Sequence, residues 1–183
     1  MLHVPLDENI LDHVKWLCKH VNYGQRGNAD GSLRQQMIGL AGQCHVMDMM
    51  GFELPKITHE HDGGVDINLN GLKLDVKTME RKVEPKANYV NNVIGLQSHF
   101  NTDAYIFCSL NITNKVLSVC GWINKPDFLK LAVFTPKGEK RYRSDNTWFE
   151  TKADLYELEN SLLNPINSID DLKQINNNRQ FRL

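Results

Sequence analysis

The sequence predicts an α/β fold in which a β-sheet core is flanked by helices. Apolar residues follow helical spacing in residues 7–21 and 33–47, and the period changes to two from Val65 onward. Further strand-like runs and a second group of helical segments come after this change. Helices on both sides of a central run of strands are typical of a sheet that is covered by helices.

Two helices are predicted ahead of the sheet, over residues 7–21 and from Ser32 to Gly51. Ser32 and Gln35 form a capping-box pattern, and Gly51 is a typical helix end. Gly39 and Gly42 interrupt the second helix, and each costs about 1 kcal/mol relative to alanine. We therefore expect both glycines to pack closely against a neighbouring element. The expected core stripe of this helix is Leu33, Met37, Leu40, Ala41, Cys44 and Met47. Residues 22–31, rich in glycine and asparagine, are predicted to form a loop.

The central segment begins with a predicted hairpin whose turn is Asn70-Gly71. The later elements are predicted as strands at 88–94, 103–110, 115–123 and 153–160, helices at 125–132 and 168–176, and a basic loop or hairpin at 133–147. No internal repeat or linker divides the chain, so one domain is expected over residues 1–183, with a core at about 32–165 and a polar tail at 177–183.

Composition bounds the class of protein. A chain of 183 residues is long enough to bury a core without disulfides, and its four cysteines form no C-x-x-C pair. No apolar run is long enough to span a membrane, and the N-terminus lacks the order of a signal peptide. We therefore expect no membrane partner and a cytoplasmic location. Phosphate-loop, dinucleotide-binding and serine-hydrolase motifs are also absent from the sequence.

The predicted hairpin carries the residues with the strongest chemical pattern. A two-residue turn fixes the register, so that Asp66 should face Asp75 across the strands, with β-carbons about 5 Å apart. Lys77 is two residues beyond Asp75 and should project from the same face. Two carboxylates placed in this way repel each other unless a proton or a cation lies between them, and Mg²⁺ prefers such oxygen ligands.

Two other interpretations of this region remain open. The hairpin can be a solvated surface element with a simple contact between an aspartate and a lysine. His59 and His61, which alternate just upstream, are a rival transition-metal site, although such a pair needs a third ligand.

Asp66 followed by Asp75-Val76-Lys77 resembles the core signature of the PD-(D/E)XK nuclease superfamily. The proline of that signature is replaced here by Val65, and the helix with Gly39-Leu-Ala-Gly42-Gln43 precedes the hairpin as it does in that superfamily. Gln97 resembles the glutamine that many members place on a helix near the active site. The resemblance covers residues 32–165, including the Cys120–Ile123 and Leu155–Glu159 segments.

This resemblance implies a restriction-endonuclease-like mixed β-sheet and metal-dependent hydrolysis of DNA, with RNA the less favoured substrate. Asp66, Asp75 and the Val76 carbonyl would hold Mg²⁺ or Mn²⁺, Lys77 would serve the attacking water, and Gln97 would position water or phosphate. Gln43 stands where many members supply a glutamate, and it brings no negative charge. The resemblance also implies a prokaryotic or phage-infected cell, and it leaves a homodimer open.

Basic residues are the predicted nucleic-acid contacts, although a charge run is more often a solvated face. They are Arg81, Lys82 and Lys86 after the hairpin, and Lys137, Lys140, Arg141 and Arg143 in a second cluster. Tyr142 and Trp148 are candidates for stacking on bases, whereas Trp122 is predicted to be core. The alternative function is a nuclease-fold module without turnover, which binds nucleic acid or a protein partner.

Overall fold

The computed structural model describes residues 1–22, 31–57, 63–142 and 146–176. The elements are β1 (Leu2–Pro5), α1 (Glu8–His20), α2 (Leu33–Met50), β2 (Ile67–Leu69), β3 (Leu72–Glu80), β4 (Val90–Ile94), a 3₁₀ helix (Gly95–His99), β5 (Ala104–Asn111), β6 (Val116–Asn124), α3 (Lys125–Leu131), β7 (Val133–Thr135), β8 (Lys140–Tyr142), β9 (Trp148–Glu150), β10 (Leu155–Glu159), a second 3₁₀ helix (Asn160–Leu162) and α4 (Ile169–Lys173).

A five-stranded mixed sheet forms the centre of the molecule, with the strand order β1-β6-β5-β3-β2. Its β3 and β5 run parallel, whereas the other neighbouring strands are antiparallel. The connection from β3 to β5 passes through β4 and the first 3₁₀ helix, which supplies the crossover that a parallel pair requires. The α/β class and the mixed sheet expected from the sequence are therefore present.

The two faces of this sheet pack against different layers. Leu74, Ile106 and Leu117 belong to the core that also contains Val14 and Cys44 from the helices α1 and α2. On the other face, a second core joins sheet residues to α3 and β10; its members include Tyr105, Phe107, Ile123, Phe128 and Leu158. Alternation along the strands explains the division, because neighbouring residues point to opposite faces. The second face is covered by α3 and by a three-stranded sheet, β4-β10-β7, while β8 and β9 form a separate ribbon.

The capping prediction at α2 is confirmed, and α1 has a cap that was not predicted. The Asp7 side chain accepts N–H groups at the start of α1, and Ser32 and Gln35 form a reciprocal capping box at α2. Gly51 ends α2 in the left-handed region, at a φ of 81°. The prediction for Leu33 is wrong, since this side chain is 57% exposed. The buried residues of α2 begin only at Ile38, so its first turn extends past the core.

Close packing explains only one of the two helical glycines. A β-carbon on Gly42 would lie 1.9 Å from Oγ1 of Thr78, so α2 approaches β3 at this point as no other residue would permit. A β-carbon on Gly39 would meet nothing within 4 Å, and the packing prediction there is wrong. The approach at Gly42 fixes α2 against the strand that carries Asp75 and Lys77.

The elements follow the predicted order with three differences. The strand β1 was not predicted, and β4 and β10 were not expected to belong to a second sheet. The last helix is shorter than predicted, because α4 ends at Lys173. The basic segment at 133–147 contains β7 and the first strand of the β8–β9 ribbon. Residues 23–30 of the predicted loop lie outside the described residues, as does the whole 177–183 tail. Among the described helices, none has the length and apolar character to cross a membrane.

Candidate active site

The β2–β3 hairpin has the predicted turn and register. Asn70 and Gly71 both adopt positive φ, at 52° and 91°, as a two-residue hairpin turn requires. Leu69 pairs with Leu72, and Ile67 pairs with Leu74. Ile67, Leu72 and Leu74 are buried in the core on the helical side of the sheet, so the hydrophobic pattern and the turn select the same register.

The ladder stops before the predicted pair of aspartates. Its last pair is Ile67 with Leu74, so Asp66 and Asp75 are not paired residues as the hairpin pattern predicted. Instead, the Asp66 N–H donates to the Leu74 carbonyl at 2.9 Å, and Oδ2 of Asp66 accepts the Val76 N–H at 2.7 Å. A directly opposed carboxylate pair is unfavourable, and the chain departs from the ladder at that pair. The Asp66 carboxylate is thereby held at the backbone between Asp75 and Lys77.

Asp75 and Lys77 form an ion pair that is largely out of water. The Asp75 residue is 2% exposed, and Nζ of Lys77 lies 2.6 Å from its Oδ2. The Lys77 side chain retains 16% exposure, so the pair is open to solvent only on the lysine side. Both side chains project from the sheet face opposite α2, as the predicted alternation requires. A buried carboxylate needs such a counter-charge, since burying one charge alone is costly.

Tyr105 is a neighbour of this site that sequence reasoning missed. It pairs with Asp75 in the parallel β3–β5 ladder and is fully buried. Burial, and to a lesser degree the negative charge of Asp75, raise the pKa of Tyr105 far above its ordinary value. Its hydroxyl has no hydrogen-bond partner within the described residues. Only the parallel pairing reveals this residue, and the local sequence pattern carries no signal for that pairing.

The helix α2 approaches the site from the other side of β3. Burial raises the pKa of the Cys44 thiol to about 12, and the negative charge of Asp66 contributes to this rise. Gln43, the predicted helical contributor, precedes Cys44 and is half-buried. This helix packs on β3 at Gly42, next to Gln43, and a role for the Gln43 amide remains a prediction.

Gln97 lies in the 3₁₀ helix between β4 and β5, and it is buried. The Gly95 N–H donates to the Asp154 carbonyl at 2.7 Å, and a β-carbon on Gly95 would lie 2.6 Å from that of Asp154. The turn is thus anchored to the segment before β10. The predicted helical setting of Gln97 is confirmed, and its contact with water or phosphate remains a prediction.

The basic residues divide into anchored and exposed groups. Arg81 is half-buried, donates from Nη2 to the Val90 carbonyl at 2.6 Å, and stacks over the Tyr89 ring at 4.8 Å. Arg141 pairs with Glu157, whose side chain is only 5% exposed. The lysine side chains that remain exposed are Lys82, Lys86, Lys137 and Lys140. Arg143 lies outside the described residues. Arg81 and Arg141 thus have structural contacts besides any role with nucleic acid.

The β8–β9 ribbon presents an exposed aromatic pair. Tyr142 and Trp148 are paired across the strands, and they are 56% and 51% exposed. Nζ of Lys140 lies 4.3 Å from the centre of the Trp148 ring. Trp122 is 1% exposed, as predicted for a core residue. Exposed aromatic rings beside a cation are the surface type that stacks on unpaired bases.

The described residues contain no cluster of three or more histidine, cysteine, aspartate or glutamate side chains arranged to hold a metal. The rival His59–His61 site lies outside those residues. Comparison with known proteins gives no match to a family model, to a curated protein or to a solved structure.

Proposed function

We propose that this protein is a metal-dependent nuclease of the PD-(D/E)XK type, which hydrolyses phosphodiester bonds in DNA, with RNA as the less favoured alternative substrate. One observation carries the proposal: the Asp66 carboxylate accepts the N–H of Val76, the residue between Asp75 and Lys77. The Asp66 carboxylate is therefore held beside the strand segment on which a second carboxylate, Asp75, is paired with the ammonium of Lys77. This combination of charges serves cation binding and phosphate chemistry better than it serves stability.

The donor set at this point suits Mg²⁺ or Mn²⁺. These cations prefer oxygen ligands, and Mg²⁺ commonly takes one or two carboxylates together with waters and substrate phosphate. Asp66 and Asp75 would provide the carboxylates, and the Val76 carbonyl would complete the protein's share. A bound cation would neutralise charge on the phosphate and lower the pKa of water. A third acidic ligand is not required for this mode of binding.

Lys77 has a role that follows from its contact with Asp75. An ammonium only donates hydrogen bonds. It can therefore orient a water molecule by donating to the lone pair of the water oxygen, and it can stabilise the negative charge that develops on the phosphate. The contact of 2.6 Å with Asp75 fixes its position before substrate arrives. Because the ammonium is already in place, the reaction does not have to include the free-energy cost of orienting it.

The proposal includes the setting of the enzyme. A restriction-endonuclease-like arrangement fits a mixed sheet that has helices on both faces. A cytoplasmic role in a prokaryotic or phage-infected cell fits a chain with a DNA-cleaving site. A homodimer would bring two centres to the two strands of a duplex. Restriction, recombination and replication-linked trimming are the processes that use such a reaction.

A second candidate function is a nuclease-fold module without turnover. The contact between Lys77 and Asp75 favours it, because the ammonium already neutralises a carboxylate that a metal would otherwise use. Gln43 favours it too, as an uncharged residue where a further carboxylate would strengthen metal binding. Such a module would bind nucleic acid or a protein partner and would not cut DNA.

Cleavage of labelled single-stranded, double-stranded and branched DNA, with Mg²⁺, Mn²⁺ or EDTA, distinguishes the two functions. The nuclease proposal expects cutting of at least one substrate with a divalent cation and none with EDTA. Folded protein that binds these substrates and cuts none of them would support the module.

A further inference from the structure

A second site lies on the same sheet face as Asp75 and Lys77, toward the far end of β3. It is a cavity of about 240 Å³, here called the Arg81 pocket, whose lining includes His3, Arg81, Glu84, Ser109, Asn111 and Ser118. His3 pairs with Ser118 across β1 and β6, and Ser118 pairs with Ser109 across β6 and β5. A polar row therefore crosses three strands of a face that is apolar around Tyr105 and Phe107.

Ser109 is the first sign that this pocket takes a ligand. The residue is 3% exposed, and its Oγ has no hydrogen-bond partner within the described residues. A buried hydroxyl without a partner is unfavourable, and such groups are rare in folded proteins. A ligand oxygen in the pocket would supply the missing partner.

Arg81 is the second sign. Its guanidinium is held by the Val90 carbonyl and by the Tyr89 ring, which fix its orientation. No acidic side chain in the described part of the chain forms an ion pair with it. Buried cations are normally paired with an anion. Among the described residues, the guanidinium that lines this pocket thus has no ion-pair partner.

The remaining lining groups favour an anion with several oxygen atoms. Oδ1 of Asn111 accepts the Asn114 N–H at 3.0 Å, which leaves the amide nitrogen of Asn111 as a donor. His3 Nδ1 lies 2.8 Å from Oγ of Ser118, and its Nε2 lies 3.6 Å from the exposed Glu84 carboxylate. The Glu84 side chain is 79% exposed, so its charge is well hydrated. The guanidinium, hydroxyl and amide donors suit a phosphate group.

We propose that the Arg81 pocket binds a phosphate group of the nucleic acid, a few nucleotides away from the bond that is cut. This inference rests on the proposed nuclease function for its substrate. Arg81 is the residue after β3 and follows Lys77 by four residues, which corresponds to about 13 Å along an extended chain. Successive base pairs rise by about 3.4 Å, so a strand passing Lys77 brings a phosphate to Arg81 within a few steps.

Binding of inorganic phosphate tests the pocket without any need for cleavage. Titration at constant ionic strength, followed by calorimetry and by Tm, should show phosphate binding to the wild type, weakened at least about tenfold in Ser109→Ala. Arg81→Gln should abolish it. The Tm of unliganded Ser109→Ala should be equal to or above that of the wild type, because a buried hydroxyl without a partner is removed. Ser161→Ala, an exposed serine elsewhere, is the matched control and should bind as the wild type does.

Absence of phosphate binding by the wild type would contradict the proposed phosphate site. Equal binding by the wild type and by Ser109→Ala would contradict it as well. If Arg81→Gln fails to fold, Ser109→Ala decides the question alone.

Cleavage kinetics then test whether the phosphate belongs to nucleic acid. Ser109→Ala should raise KM for DNA, and inorganic phosphate should compete with DNA for the wild type. Phosphate binding without either effect would assign the pocket to a free phosphate compound and overturn the subsite. If no condition gives cleavage, the nuclease proposal fails, and with it the role as a subsite. The titration would still show whether the pocket binds phosphate.

Discussion

At the scale of single residues, the contact between Lys77 and Asp75 links stability to the proposed chemistry. Lys77→Met removes the ammonium and leaves the Asp75 carboxylate in a site where it is 2% exposed. Breaking a buried pair in this way costs about 3–5 kcal/mol. We expect a loss of this order in the free energy of unfolding, measured by urea denaturation at neutral pH.

Two comparisons identify the cause of this loss. The double variant Asp75→Asn with Lys77→Met should recover most of it, since neither charge remains. Lys15→Met is the matched control: Lys15 contacts Asp12 at 2.7 Å, but both side chains are exposed, and no loss is expected. Equal losses in Lys77→Met and in the double variant would show that the ion pair is not responsible.

Buried thiols predict how stability depends on alkaline pH. Burial raises the pKa of Cys44 to about 12 and that of Cys120 to about 11, against an ordinary value of 9.0. Above pH 9, these thiols ionise in the unfolded chain and stay protonated in the folded one. The unfolded state then binds fewer protons, so stability falls as pH rises, by up to about 1.4 kcal/mol per pH unit for each thiol.

Urea midpoints between pH 7 and 10.5 measure this effect. The contribution of these thiols to the free energy of unfolding should be constant below pH 8 and should decrease above pH 9. The Cys44→Ala variant should fall less steeply. If the stability of Cys44→Ala decreases as steeply as that of the wild type, ionisation of Cys44 does not contribute to the effect.

At the scale of elements, the approach of α2 to β3 gives a matched pair of variants. Gly42→Ala would place a β-carbon 1.9 Å from Thr78 Oγ1, so the helix or the strand must shift. The overpacking should cost about 1–3 kcal/mol and outweigh the gain in helix propensity. Gly39→Ala meets nothing within 4 Å and should gain up to about 1 kcal/mol. Thermal unfolding of both variants checks the signs, and two stabilising substitutions would contradict the packing shown here.

The β8–β9 ribbon is the element from which we expect contact with unpaired bases. Trp148→Ala removes an exposed ring beside Lys140, and stacking on such a ring contributes about 1–3 kcal/mol per base. Affinity for single-stranded DNA should fall by about fivefold or more, as measured by fluorescence anisotropy. Trp16→Ala, a similarly exposed tryptophan on α1, is the control and should leave affinity unchanged. Equal effects of the two substitutions would exclude specific stacking on the ribbon.

Elements that depend on local sequence could be predicted, and those that depend on distant pairing could not. Asn70-Gly71 specifies a hairpin turn, and Ser32 with Gln35 specifies a helix start, because the contacts involved are only a few residues apart. The parallel pairing of β3 with β5 joins segments separated by β4 and a 3₁₀ helix. The alternation of apolar and polar residues indicates which face of the sheet a side chain lies on, but it does not indicate which strand is the neighbour. For the same reason, β4 and β10 could not be assigned to a second sheet.

At the scale of the whole molecule, the same limit applies to the candidate site. Asp75 and Lys77 could be placed on one face because they alternate along one strand. Their direct contact was expected only by the rival interpretation, that of a simple contact between an aspartate and a lysine. The position of Asp66 could be predicted only in part: the side chain reaches β3, but it does so through the Val76 N–H after the ladder has ended. Tyr105 and the Arg81 pocket depend on the order of strands across the sheet, which no local pattern specifies.

The two layers of the molecule give the sheet face with Asp75 a distinct role. One face is committed to the packing of α1 and α2, while the other carries Asp75 and Lys77 on β3 and Arg81 directly after its end. The proposed metal site and the proposed phosphate pocket both lie on this second face, part of which is covered by α3 and the three-stranded sheet.

Cleavage of DNA by the Asp75→Asn variant tests the central claim most directly. The wild type and Asp12→Asn, which changes an exposed aspartate on α1, should cut labelled DNA with Mg²⁺ or Mn²⁺ at equal rates. Folded Asp75→Asn should lose at least about a hundredfold in rate, because it loses a carboxylate ligand of the proposed cation. Cutting by Asp75→Asn at the wild-type rate would contradict the assignment of the active site to the β2–β3 hairpin.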